Sequence, residues 1–257
     1  MNANTQSDGS TRAKIRIETG PKRTRTYVSG IPVADTISPL LVWEHRFYPQ
    51  YYFPRTDVNT ELLVSNAVTK SIPNLGVAEY FDVVVGTRTI PNAAWAFPES
   101  DITELRDAIR FEWDAMDSWF EEDEEVSVHA RDPYTRLDIL ASNRHIQVAI
   151  NGFTVADSSN ARLLFETGMP TRYYLPKTDV RMDLVRTTES ETHCPYKGTA
   201  ETFSMEVDGT LVKNIAWSYA KPLAESQSIV GLVAFLNEKV DIYVDGVLQG
   251  QAKSIFS

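Results

Sequence analysis

Gly30-Ile31-Pro32-Val33-Ala34-Asp35 recurs as Gly152-Phe153-Thr154-Val155-Ala156-Asp157, an offset of 122 positions. The same offset carries Tyr51-Tyr52-Phe53-Pro54-Arg55-Thr56-Asp57-Val58 onto Tyr173-Tyr174-Leu175-Pro176-Lys177-Thr178-Asp179-Val180. It still holds at Pro73, Gly76, Ala78, Glu79 and Phe81, which land on Pro195, Gly198, Ala200, Glu201 and Phe203, and at Asn92, Ala94 and Trp95, which land on Asn214, Ala216 and Trp217. No gap is needed between Gly30 and Trp95. Matches this dense on one diagonal mark an internal duplication, and a repeat decides the architecture before any motif does. The chain therefore reads as two homologous domains, 14–130 and 144–250, with a linker at 131–143, a disordered N-terminal tail at 1–13 and a C-terminal tail at 251–257.

Within a repeat the pattern is mostly strand. Ile146-Gln147-Val148-Ala149-Ile150 alternates at period two, turns at Asn151-Gly152 and resumes with Phe153-Thr154-Val155, a strong short-range hairpin signal. Asp208-Gly209 and Asp245-Gly246 repeat the device beside the alternating runs 203–207 and 240–244. A short helical turn is expected after Thr178-Asp179. One stretch differs: Ile102, Leu105, Ile109, Trp113, Met116 and Phe120 fall three or four residues apart behind Asp101 and Glu104. That spacing predicts an amphipathic helix over 101–121, inserted into the first repeat because the second has only Glu225 to Gly231 in the matching place. The acidic run Glu121-Glu122-Asp123-Glu124-Glu125 reads as a solvated turn.

Composition narrows the classes. At 257 residues with 42% hydrophobic and 23% charged residues, the chain is long enough for packed cores and too apolar for wholesale disorder. Twenty-five Lys and Arg against 35 Asp and Glu leave a net charge of −10, which opposes sequence-independent binding to nucleic acid or to an anionic membrane. The single cysteine, Cys194, excludes an internal disulfide and a Cys-x-x-Cys zinc site, and it points to a reducing, cytosolic location. No apolar run approaches the ~18 residues of a membrane span, and Met1 to Asp8 lacks the basic flank and apolar stretch of a signal peptide. No metal and no cofactor are expected. The expected partner is a small molecule, with a homodimer of the chain as a further association.

The candidate site lies where the repeats differ. His193-Cys194-Pro195-Tyr196-Lys197-Gly198-Thr199-Ala200 corresponds to Ser71-Ile72-Pro73-Asn74-Leu75-Gly76-Val77-Ala78, so the backbone-shaping residues are shared while thiol, phenol and ammonium belong to the second copy alone. On this reading the first repeat is a supporting copy. Cys194 is either a nucleophile, its thiolate favoured by Lys197, or a small buried hydrophobe as Ile72 suggests. His193 faces away from Cys194 on an extended strand. Asp179 or Thr178 can cap the turn that follows by accepting amide hydrogens, and Lys177, poorly placed for a helix start, can face an anion. Tyr174, Tyr196, Trp217 and Tyr219 are rings with a polar handle; they suit core packing or a cleft for a flat or cationic ligand. Gly-x-Ser-x-Gly, a glycine-rich phosphate loop and two-histidine metal spacing are all missing from the sequence.

Val155-Ala156-Asp157, Arg172 to Val180, Cys194 to Ala200, Asn214-Ile215-Ala216-Trp217-Ser218-Tyr219 and Val244-Asp245-Gly246 together resemble the family catalogued as domain of unknown function 427. The first repeat resembles the divergent partner of tandem members, including Trp113 to Glu124. The family is similar in fold to the β-tent, or Mss4-like, group, which includes methionine sulfoxide reductase B and the drug-binding domain of cereblon. The resemblance implies two small antiparallel sheets per repeat meeting at an angle, with a ligand cleft between them. Relatives in that group hold zinc with two cysteine pairs; with one cysteine here, packing replaces the metal. The family carries a nucleotidyltransferase-like label, although the sequence has no paired carboxylates on a strand after a Gly-Ser turn.

Three functions follow. The first is a small-molecule binding module using Tyr174, Tyr196, Trp217 and Tyr219, with Lys177 and Lys197 as anion anchors. The second is a cysteine-dependent enzyme, of transferase or redox type, with Cys194 activated by Lys197 or His193 and Asp179 orienting a neighbour. The third is a scaffold for protein partners.

Overall fold

The computed structural model describes residues 15–250, apart from the side chain of Glu189, so both expected tails lie outside the described residues. The chain forms two compact units that part between Asp132 and Pro133. In the first the strands are β1 (Arg16–Thr19), β2 (Thr24–Val28), β3 (Ile31–Thr36), β4 (Leu40–Trp43), β5 (Gln50–Pro54), β6 (Leu63–Ile72), β7 (Gly76–Val85), β8 (Arg88–Ala96), β9 (Ala108–Phe111), β10 (Ser118–Glu121) and β11 (Glu124–Glu125). In the second they are β12 (Leu137–Ser142), β13 (Ile146–Ile150), β14 (Phe153–Ser158), β15 (Ala161–Glu166), β16 (Arg172–Leu175), β17 (Val185–Cys194), β18 (Gly198–Val207), β19 (Thr210–Ser218), β20 (Val233–Phe235), β21 (Asp241–Val244) and β22 (Val247–Leu248).

Each unit is a seven-stranded antiparallel sheet and a four-stranded one, in the same order: β1-β4-β5-β9-β8-β7-β6 with β11-β10-β2-β3, and β12-β15-β16-β20-β19-β18-β17 with β14-β13-β21-β22. The duplication is thus complete strand for strand. Residues 137–142, assigned to the linker by sequence, are the edge strand β12 paired with β15. The hairpins form as their turn residues demand: Asn151-Gly152, Asp208-Gly209 and Asp245-Gly246 all take positive φ at both positions. Asn92 and Asn214 share φ near 50°, at 53° and 48°, in the irregular pairing of β8 and β19, which explains why both copies keep an asparagine there.

The predicted helix over 101–121 does not form. Thr103–Leu105 and Trp113–Ala115 are single 3-10 turns, and the rest of the segment makes β9 and β10. Nor is it an insertion: Ala94 pairs with Phe111 as Ala216 pairs with Phe235, so β9 matches β20 at an offset of 235 − 111 = 124. The second copy has the longer turn, Ala224–Ile229. The helical spacing arose because two short turns and two short strands alternate here and each contributes apolar groups, Leu105 and Trp113 from the turns, Ile109 and Phe120 from β9 and β10. Leu105 packs on one face of the large sheet, while Ile109 and Met116 pack on the other.

Strand alternation sorts each repeat into two cores. Between the sheets of the second repeat lie Val148, Val155, Leu163, Leu175, Met205, Ala216 and Phe235. That filling corrects the expectation of a ligand cleft between the two sheets. On the opposite face of the large sheet a second cluster contains Leu164, Tyr174, Ala200, Tyr219, Ile229 and Ala234, with Trp217 against it. The large sheet curls around this second face. Glu166 ends β15 and Lys197 lies in the β17–β18 turn, four strand spacings away in sheet order. In a flat sheet those strands would be ~19 Å apart at ~4.8 Å per spacing, yet the two charged groups meet at 2.5 Å. The aromatic cluster therefore occupies a concave face.

Candidate functional site

The concave face is built on one row of cross-strand neighbours. In the second repeat the row runs Thr202 (β18), Trp217 (β19), Ala234 (β20), Tyr174 (β16). In the first it runs Tyr80 (β7), Trp95 (β8), Arg110 (β9), Tyr52 (β5). Tyrosine and tryptophan are retained; the residue between them is not. Over Ala234 nothing separates the rings, so the Trp217 indole donates to the Tyr174 hydroxyl at 3.1 Å, edge to face, with centroids 6.4 Å apart. In the first repeat the Arg110 guanidinium lies over the Trp95 ring, 4.3 Å from its centroid. Tyr52 instead gives its hydroxyl to Glu44 at 2.7 Å. The buried Trp95 indole N–H has no partner among the described residues.

Glu44 and Glu166 are matched at the original offset of 122, and the sequence reading passed over both. Each sits at the end of the strand beside the tyrosine and each meets a cation, but from a different element. Glu44 pairs with Arg110 of β9 at 3.2 Å, whereas Glu166 pairs with Lys197 of the β17–β18 turn at 2.5 Å. Both members of the second pair are only 12% exposed. The first repeat has Leu75 at the position of Lys197, and Leu75 is buried. A buried or half-buried acid–cation pair beside the tyrosine thus recurs in both repeats, although the thiol, phenol and ammonium of the second copy do not. Comparing the residue after Trp43 with the residue after Phe165 would have shown the glutamates; only the strand register shows their cations.

The remaining site residues fall into two groups. Tyr174, Trp217, Tyr219, Cys194 and Lys197 are gathered on the concave face. Burial holds the Tyr219 phenol well above the ordinary tyrosine range, and nearby Tyr174, Cys194 and Glu166 add to the rise. Tyr174 is raised by burial too, opposed by the hydrogen bond from Trp217. Tyr196 is buried beneath the Ala224–Ile229 turn, where its carbonyl accepts from Ser226. Lys177 and Asp179 belong elsewhere, in a 3-10 turn laid against β14 of the small sheet. Asp179 does not cap that turn, which has no side-chain cap bond; it accepts from Ser158 at 2.6 Å and from Thr178 at 2.9 Å. Asp57 does the same with Thr36 and Thr56 in the first repeat, so this matched pair ties the large sheet to the small one. Lys177 is exposed and makes no ion pair among the described residues.

Lys197 is held by Glu166, and the His193 ring bonds Thr199 at 2.9 Å on the other side of the strand. Among the described residues no three His, Cys, Asp or Glu side chains gather as a metal would need. The acidic run 121–125 is not wholly solvated: Glu121 is buried, accepting from Tyr51 at 2.5 Å and Lys22 at 2.7 Å. No described helix is long and apolar enough to cross a membrane.

The model of the family described as Domain of unknown function (DUF427) matches residues 16–122 and again 138–246. No curated protein matches the chain.

Proposed function

Because the chain belongs to the DUF427 family twice over, in tandem, we propose that its second repeat binds a small, flat, uncharged molecule on the concave face beside Trp217. The observation that carries this reading is Ala234. It stands where Arg110 covers the tryptophan in the first repeat, and Trp217 keeps a half-buried ring where Trp95 is buried. Such a face, walled by Tyr174, Tyr219 and Ile229, offers apolar area with a few placed polar groups, as ligand sites do. Charge argues for an uncharged ligand. Lys197 is neutralised by Glu166, and Arg172, 5.6 Å from the Trp217 ring, is held by two 2.8 Å bonds to Glu238. The anion anchors expected from sequence therefore carry no weight: one is spent and the other, Lys177, lies off this face.

The two-sheet repeat with one curled sheet supports the β-tent reading, and a single cysteine in 257 residues supports a reducing, cytosolic setting. The test is ligand-observed NMR on the whole chain with nicotinamide, uracil, benzoate and benzylamine. A saturable hit among the uncharged probes is expected, lost in Ala234→Arg while the circular dichroism spectrum stays that of the parent. Silence from both uncharged probes, or a hit that Ala234→Arg leaves untouched, overturns the reading.

A further inference from the structure

The first repeat has a groove of about 1070 Å³ between β1, the β6–β7 turn and residues 99–104. Its floor is apolar: Ile15, Ile17, Ile72, Leu75 and Ile102 line it and belong to one packed cluster. Its rim is acidic, with Glu99, Asp101 and Glu104 exposed along one wall. None of these three carboxylates makes an ion pair among the described residues. Arg16, the cation in the lining, is already engaged: Glu18 holds it at 2.6 Å, and its guanidinium carbon lies 4.4 Å from the centroid of the Trp43 ring.

The second repeat shows how the corresponding connection is built without such a rim. Leu137 and Ile139 stand at the positions of Ile15 and Ile17, and Ile229, matched with Leu105 at the offset of β9 and β20, packs with both. The connection there is longer: twelve residues lead from Trp217 to Ile229, against ten from Trp95 to Leu105. Its Ala224–Ile229 turn lies against β12, and Leu223 sits beside Gly198, its N–H donating to the Lys197 carbonyl at 3.1 Å. In the first repeat the residue beside the matching glycine, Gly76, is Ser100. Its hydroxyl donates to the Leu75 carbonyl at 2.6 Å and accepts from the Ile102 N–H at 3.1 Å, which fixes the wall with a far smaller side chain than leucine. Charge differs too. Residues 98–104 carry three acids and no base, whereas 220–228 carry Lys221 and Glu225.

An apolar floor in a fixed frame favours an apolar body, since little ordering is left to do on binding. Three like charges on one wall repel one another and attract a cation. A polyamine would answer the rim and leave the floor wet; a neutral hydrocarbon would do the reverse. We propose that this groove is a second binding site, separate from the face at Trp217, for an amphiphilic organic cation. Its apolar body lies on Ile17, Ile72 and Ile102, and its ammonium meets Asp101 and Glu104. The two repeats then differ in what they read: the second takes an uncharged flat molecule, the first a cation with a hydrocarbon body.

The experiment follows the isoleucine δ1 methyl signals of the ¹³C-labelled full chain at neutral pH, with Ile17 and Ile102 assigned from Ile17→Val and Ile102→Val. Hexylamine, hexanol and hexanoate share one hydrocarbon chain and differ in charge; methylammonium carries the charge without the chain. Hexylamine is expected to move both signals saturably, and hexanol to move them about threefold to tenfold more weakly. Hexanoate and methylammonium are expected to leave them still. The triple variant Glu99→Gln, Asp101→Asn, Glu104→Gln changes only exposed side chains and is expected to bring hexylamine down to the level of hexanol. Hexylamine and hexanol binding alike, or a triple variant that binds hexylamine as the parent does, overturns the cation. Methylammonium moving the signals as hexylamine does reduces the site to surface charge and overturns it as well. So does silence from hexylamine. Two outcomes assign the groove to another occupant and refute the proposal: an Ile102 signal that moves on deletion of residues 2–13 with no probe present, and a parent dimer by sedimentation that the triple variant turns into a monomer.

Discussion

Replacing Lys197 by Leu, the residue the first repeat has at that position, tests the exchange of cations between the two copies. The Glu166 carboxylate would lose its partner at 2.5 Å while staying 88% covered by the fold, given 12% exposure. Breaking a buried pair from one side costs ~3–5 kcal/mol, and the residual exposure puts this case at about 3. At a urea m-value of ~1.5 kcal/mol/M the midpoint of the second repeat falls by roughly 2 M. The first repeat shows how to restore it, because Glu44 takes its cation from β9. Ala234→Arg introduces that cation at the matching place. By itself it crowds a packed face and costs ~1–3 kcal/mol. Added to Lys197→Leu it should return about 2 kcal/mol, giving a coupling well outside the ~0.5 kcal/mol expected of independent sites. The assay is a four-member urea cycle followed by far-ultraviolet circular dichroism and tryptophan fluorescence. Additivity of the two changes within ~0.5 kcal/mol, or a Lys197→Leu variant as stable as the parent, would refute the assignment of Glu166 as the charge that the fold must balance.

Tyr51, Tyr52, Tyr174 and Tyr219 are all held above the ordinary tyrosine range, in each case first by burial. A phenol whose folded value exceeds its unfolded ~10 contributes stability that is intact below pH 10 and lost as pH climbs towards the folded value, so unfolding should begin above pH 10. Absorbance at 295 nm should show these four phenols ionising only with loss of structure; reversible titration of all 11 tyrosines near pH 10 would contradict it. Ser158→Ala, which takes the hydroxyl from Asp179, should cost ~1–2 kcal/mol by thermal melting, and Thr36→Ala should match it in the first repeat. Neither should change probe binding at Trp217, and a loss there would return Asp179 to the site. Cys194→Ile copies Ile72 and should shift stability by less than ~1.5 kcal/mol with probe binding retained; abolished binding would mark the thiol as a contact.

Legibility differed by kind of feature. Turn chemistry was readable because it is local: Asn-Gly and Asp-Gly specify their own backbone, and Gly76 and Gly198 take φ of 116° and 93° where a side chain is disfavoured. The matched Asp57 and Asp179 stood out as a pair, yet their task was misread as capping, since the hydroxyl each accepts comes from 21 residues earlier in the chain. Residues 101–121 were misread for a related reason. A period near 3.6 describes a helix only when one face is buried against one partner, and here successive residues are buried on opposite faces of a sheet. Tyr174, Trp217 and Tyr219 share one cluster on the large sheet, whereas Lys177, their neighbour in sequence, lies in the turn against β14.

The sequence by itself determined the duplication, its offset, the dominance of antiparallel strands and the hairpins that set their register, because each is written in neighbouring residues or in comparison of one half with the other. Tertiary structure alone decided which face of the large sheet is concave, that Glu166 reaches Lys197 across four strand spacings, and that Arg110 lies over one tryptophan while the other, beside Ala234, stays half-buried with Arg172 5.6 Å from its ring. Those contacts join strands far apart in the chain, and the curl of the sheet that brings them together is a property of all seven strands at once.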